Sequence, residues 1–224
     1  MTASRLLHFF RRACAAAHIP PGLLEVSAMR VFALPRIAPP DNAAEFRVEQ
    51  IDENRLADVC ACRQMRDPDA AYPLLRRRLV EGSACYVMYH GAAPVGFAWI
   101  SRGTNVLEDS DRYRMNLGSD GGYIYDTFLA PDYRGRGLYR ALLARVQGAC
   151  ARGGITRFFL TVDLTNERSL RAHGRLDVEY VETVVYVCVC GFSFHCARGA
   201  SGSCRQVDPP WRRREFASRN VSSA

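Results

Sequence analysis

Residues 125–143, YDTFLAPDYRGRGLYRALL, constrain the fold of this 224-residue chain more than any other stretch. A strand-like run (YIYDTFLAP, 123–131) ends at a proline, two Arg-Gly pairs follow, and a helical pattern begins at Leu138. A strand that feeds a helix this directly presents the first helical N–H groups, which have no intrahelical acceptor, at the junction. The helix dipole adds roughly half a positive charge there. Gly135 and Gly137 clear side chains from the backbone, and Arg134 and Arg136 add charge. The junction is suited to close on a phosphate or pyrophosphate. Two familiar glycine-rich loops do not fit. The chain has no lysine, which excludes the Walker loop, and Arg140 stands where G-x-G-x-x-G needs its last glycine.

The segments around the junction predict the rest of the architecture. Residues 46–51 alternate like a strand, and two helical stretches follow, the first after an Asp52 N-cap and the second ended by Gly82. The run ACYVMYHGAAPVGFAWISRG reads as a hairpin, and 105–122 as a polar loop. After the junction come a helix, a strand (155–166), a short helix (167–176) and one or two final strands. A hairpin followed by strand–helix–strand demands a locally parallel pair. The expected class is therefore α+β (α/β mixed), a central mixed sheet flanked by helices. Residues 1–43 read as a helix-plus-strand extension, 44–194 as the main domain, and 195–224 as a flexible, disordered basic tail rich in Gly, Ser, Arg and Pro.

Composition narrows the classes. With 48% apolar residues the chain has enough for a core, and its +7 charge comes wholly from arginine. The runs Arg76–Arg78 and Arg212–Arg214 read as solvated faces. No nucleic-acid motif occurs and the aromatics are not interleaved with the arginines, so no nucleic-acid partner is expected. No apolar run approaches the roughly 20 residues of a membrane helix. The N-terminus has arginines and no acid before Glu25, a loose likeness to a transit peptide, but Arg11 and Arg12 split any secretory core. A leading helix ended by Pro20-Pro21-Gly22 is the expectation, in a cytoplasmic monomer or homodimer. The nine cysteines include two C-x-C pairs, 60/62 and 188/190, without the spacing of a zinc site. Free buried thiols and no metal are expected, with the second pair on one strand face.

The stretch LAPDYRGRGLYRALL resembles motif A of the GNAT superfamily of acetyl-CoA-dependent N-acetyltransferases, whose pattern is strand, Q/R-x-x-G-x-G/A, helix. Arg134 and Gly137 match; Tyr139 stands where Gly or Ala is expected. Downstream, NERSLRAHGRLDVEY resembles motif B: Asn166 and Ser169 match, His173 takes the place of a tyrosine, and Asp177-Val178 replaces Gly-Phe. The element order extends the resemblance over about 46–192.

The resemblance implies acetyl-CoA as co-substrate. Its pyrophosphate would lie on the backbone N–H groups of Arg134, Gly135, Arg136, Gly137, Leu138 and Tyr139. Its pantetheine arm would pair with Phe128, Leu129 and Ala130, where that strand splays from the next. An N–H near Leu129 would polarise the thioester, and Asn166 would hold the arm. Asp126 is the candidate general base or, alternatively, an anchor for the ammonium of the acceptor, with Glu108 and Asp109 in reserve. His173 would return a proton to the leaving thiolate. The implied activity is acetyl transfer to a primary amine on a small molecule or a peptide. A catalytically weakened scaffold that only binds acyl-CoA is the alternative.

Overall fold

A computed structural model describes residues 3–17, 19, 23–40, 43–103, 106–107, 114–115, 117–190, 192–199, 204–206 and 212–213. In chain order the elements are α1 (Ala3–Ala16), β1 (Leu24–Leu34), β2 (Phe46–Ile51), α2 (Leu56–Arg63), α3 (Pro68–Val80), β3 (Ala84–His90) and β4 (Ala93–Arg102). They continue with β5 (Val106–Leu107), β6 (Arg114–Met115), β7 (Gly121–Leu129), α4 (Leu138–Ala151), β8 (Arg157–Asp163), α5 (Glu167–His173), β9 (Glu179–Val189), β10 (Phe192–Gly199), β11 (Cys204–Gln206) and β12 (Arg212–Arg213). The expected hairpin is β3–β4, and the stretch expected as a loop carries the small β5–β6 pair.

The chain forms two compact units. One comprises residues 32–161 and 171–179 and holds the strand–Arg-Gly–helix junction. Its strands lie in the order β8-β7-β4-β3-β2. All neighbours are antiparallel except β7 and β8, which are parallel as strand–helix–strand connectivity requires. Central β4 is buried without alternation from Val95 to Ile100, the pattern of a strand covered on both faces. Helices α2 and α4 both pack on it. Leu142, Leu143 and Val146 of α4 are fully buried, so this helix is fixed by its apolar stripe. Gln147 ties residues 35–37 to α4: its amide donates to the Pro35 carbonyl and accepts from the Ile37 N–H, both at 2.9 Å.

The other unit comprises residues 1–31, 162–170 and 180–224. There β9 and β10 form an antiparallel hairpin, from Phe192↔Val189 to Gly199↔Glu182. Paired structure thus runs past residue 194, and Ala197 is buried. Short β11 and β12 also pair with β10; the rest of the expected tail lies outside the described residues.

Three expectations need correction. Cys196 is disulfide-bonded, although the thiols were expected free; Cys60, Cys62, Cys85, Cys150 and Cys188 are free and buried. The second C-x-C pair does not share a face, because β9 ends at Val189 and Cys190 turns out with φ 49°, exposed. Likewise the arginine run on α3 is not wholly solvated. Arg76 and Arg77 pair at the surface with Glu53 and Glu81, while Arg78 is buried on the same helix face as Leu75.

Candidate active site

The junction adopts the geometry its sequence predicts. After β7, Pro131–Tyr133 make one 3-10 turn. Gly135 (φ 77°) and Gly137 (φ 76°) are left-handed, a conformation that costs other residues roughly 1–2 kcal/mol. No side chain caps α4, so its first-turn N–H groups stay open to a ligand, and a Cβ at Gly135 would meet nothing within 4 Å. Arg134 departs from expectation. Its backbone N–H donates to the Pro131 carbonyl at 3.1 Å, which leaves the cradle to the residues after it. Its side-chain Nε donates to the Leu129 carbonyl at 2.7 Å, and its guanidinium lies 5.4 Å from the Phe128 ring centre.

The expected splay is present. Parallel pairing of β7 with β8 covers Gly121↔Arg157 to Tyr123↔Phe159 and stops there. Ala130 N–H donates to the Val95 carbonyl at 2.8 Å, so alternation turns the Leu129 N–H toward the opposite edge, where the ladder with β8 has ended. That edge offers the N–H expected to polarise a thioester, but Arg134 already occupies the Leu129 carbonyl.

Asp126 sits in a β-bulge. Trp99 pairs with Tyr125 and Phe97 with Phe128, two steps along β4 against three along β7. The extra residue falls at Asp126–Thr127, and Asp126 takes φ 43°, a left-handed conformation that Asp tolerates better than most residues. The bulge re-aims the Asp126 carboxylate between two guanidiniums. Arg63, the last residue of α2, donates to Oδ1, and Arg78 of α3 donates to Oδ2. Asp126 and Arg78 side chains are only 11% and 10% exposed; Arg63 is 34% exposed. Both cations lie over aromatic rings, Arg63 over Phe97 and Phe128 and Arg78 over Trp99 and Tyr125, at 5.1–5.6 Å from the ring centres. The expected base is therefore a carboxylate with each oxygen already bound to an arginine. Neither arginine stood out in the sequence, since nothing local marks a helix arginine as a partner for a residue 48 or 63 positions away.

His173 is 5% exposed, and its Nε2 lies 2.8 Å from the Tyr139 hydroxyl, with the two rings edge-on. The same hydroxyl is 3.3 Å from Thr127 Oγ1. A row Thr127–Tyr139–His173 thus joins β7 to the first turn of α4. Burial pushes the Tyr139 phenol up to about 12. The side chain that departs from the motif A pattern is the one that meets the histidine departing from motif B. That paired departure from the two motif patterns is the sequence signal for Tyr139.

Asn166 and Ser169 belong to the other unit. Asn166 Oδ1 accepts the Ser169 N–H at 3.0 Å, so its oxygen serves as the cap of α5. Glu108 and Asp109 lie outside the described residues. A cavity of about 750 Å³ between residues 36–39 and α4 is lined by Arg36, Arg145 and Arg152 and includes neither Asp126 nor Tyr139.

Residues 52–177, more than half of the chain, match the acetyltransferase (GNAT) family. The chain belongs to the GNAT family. No curated protein sequence matches it significantly. Solved structures share the GNAT-like fold at low identity. A functionally unknown conserved protein from Staphylococcus epidermidis superposes with a TM-score of 0.53 at 11% identity, over 84% of this chain and 67% of that one. A Drosophila protein gives 0.51 at 15%, over 82% and 58%. A GCN5-related glucosamine N-acetyltransferase region of a fungal multi-domain β-N-acetylglucosaminidase gives 0.53 at 13%, over 77% and 22%. The residues the GNAT match covers include the arginine pair, the bulge, the Arg-Gly loop and His173. Among the described residues no helix is long and apolar enough to cross a membrane.

Proposed function

We propose that this GNAT chain transfers an acetyl group from acetyl-CoA to a primary amine by direct attack through a tetrahedral intermediate. The observation that carries the reading is the uncapped first turn of α4, behind two left-handed glycines and beside a β7 edge free of β8. Acetyl-CoA supplies the activated acyl group and a pyrophosphate that suits this cradle. The N–H groups after Arg134 bind the pyrophosphate, and the Leu129 N–H stabilises the oxyanion. Asp126 orients the amine. A carboxylate has about four lone-pair sites, so two arginines do not exhaust it. The neighbouring guanidiniums disfavour an ammonium beside them, and the amine reaches the thioester in its neutral, nucleophilic form. Tyr139 relays a proton to the leaving thiolate: its O–H bond breaks as S–H forms, the N–H bond that the attacking nitrogen loses as the tetrahedral intermediate collapses restores the phenol, and His173 Nε2, 2.8 Å away, holds the hydroxyl in place. Calorimetry with acetyl-CoA, followed by thiol release over an amine panel, tests the reading. Micromolar binding with turnover is expected; no binding would overturn it, and binding without turnover would point to the scaffold.

A further inference from the structure

We infer that the acceptor carries a carboxylate next to its amine, as free α-amino acids do, with Arg63 gripping the carboxylate and Asp126 the amine. The inference rests on the acetyl-transfer reading and names its substrate class. At the bulge Arg63 and Arg78 both bind the carboxylate of Asp126. Arg78 lies inside, while Arg63 is 34% exposed and faces outward at the end of α2. Among the described residues the hydrogen-bond acceptor of Arg63 is one oxygen of Asp126, and a guanidinium has five N–H donors in a fork that matches a carboxylate. The cluster is also short of acceptors: the buried indole N–H of Trp99, whose ring lies under Arg78, has none among the described residues.

The spacing selects the ligand further. Arg63 and Asp126 are in direct contact, so the anion and amine they recognise must be close in the ligand, separated by one or two carbons. The reactive form of an amino acid has a neutral amine and an anionic carboxylate, and the carboxylate is the group that suits the partly exposed Arg63 fork. A polyamine or polycationic sugar would bring several ammonium groups against two arginines.

Three measurements test this. Calorimetry first establishes acetyl-CoA binding; its absence would overturn the acetyl-transfer reading itself. Thiol release is then compared for free L-amino acids, their carboxamides, spermidine and glucosamine. The best amino acid should exceed its own carboxamide in kcat/KM by roughly 10- to 150-fold, the range of a hydrogen bond to a charged group. In Arg63→Met that ratio should collapse toward one through the KM of the acid, and Arg63→Lys should restore part of it. An acetyl-CoA-binding chain that acetylates the carboxamides or spermidine as well as the acids overturns this inference alone, whereas one that binds acetyl-CoA but turns over nothing in the panel overturns this inference and the acetyl-transfer reading together. A ratio unchanged in Arg63→Met overturns this inference alone. If that variant fails to fold, the wild-type ratio decides.

Discussion

Replacing Asp126 by asparagine removes one negative charge and little else. Asparagine is nearly isosteric and, like aspartate, tolerates the left-handed φ of 43° found there, so the bulge survives. What changes is the partner set. One side-chain oxygen remains to accept from a guanidinium, and the new NH2 points a donor at the other. Breaking a buried ion pair costs about 3–5 kcal/mol, while an exposed one contributes about 1 kcal/mol or less. Asp126–Arg78 is the buried pair, Arg63 the more exposed partner, and one acceptor is retained, so the low end applies, about 3 kcal/mol. For a chain of this size that is a fall in Tm of roughly 6–12 °C. Thermal unfolding followed by circular dichroism reads it. Acetyl-CoA affinity should hold, since the cradle lies beyond Arg134, while turnover falls because the amine loses its orienting anion. A Tm lowered by less than about 2 °C would mean the ion pairs contribute under 1 kcal/mol. The carboxylate would then act as an unencumbered base, and the reasoning from the arginine pair would be refuted.

Tyr139→Phe removes the hydroxyl between Thr127 and His173; turnover at neutral pH should drop by about 100-fold, the low end for general acid catalysis, with stability lower by about 0.5–1.5 kcal/mol. An ultraviolet titration should find two tyrosines ionising near pH 12, Tyr86 and Tyr139, and one of them lost in Tyr139→Phe. Because that folded-state value is raised above the ordinary 10.0, the contribution of Tyr139 to stability is complete below pH 10 and fades as pH rises toward about 12. Gly137→Asp puts a Cβ into a left-handed position and a negative charge into the cradle; calorimetry should show acetyl-CoA affinity reduced at least tenfold, with roughly 1–2 kcal/mol of added strain. Alkylation at neutral pH, read by mass spectrometry, should label exposed Cys190 readily and spare Cys62 and Cys85, whose thiols are buried and pushed up, Cys62 to about 12.

Local physics wrote the junction into the sequence. A strand pattern, a proline, two glycines that must turn left-handed and an apolar helix stripe are properties of neighbouring residues. They specify the parallel β7–β8 pair and the uncapped first turn of α4, proposed to hold the pyrophosphate, without reference to the rest of the chain. The β3–β4 hairpin was legible for the same reason. Only the tertiary structure decided what surrounds the cradle. A bulge exists only relative to a partner strand, so the extra residue at Asp126, and the side to which its carboxylate turns, could not be read from alternation within β7. Arg78 looks like the third member of a solvated run; it is interior because α3 brings it to a carboxylate 48 residues away. Tyr139 and His173 each look like a misfit in its own motif. Their hydroxyl–imidazole bond spans 34 residues and appears only when the first turn of α4 and the end of α5 meet. Sequence carries what one segment does to itself, whereas the charges and protons of this site depend on contacts between segments, and those form only on folding.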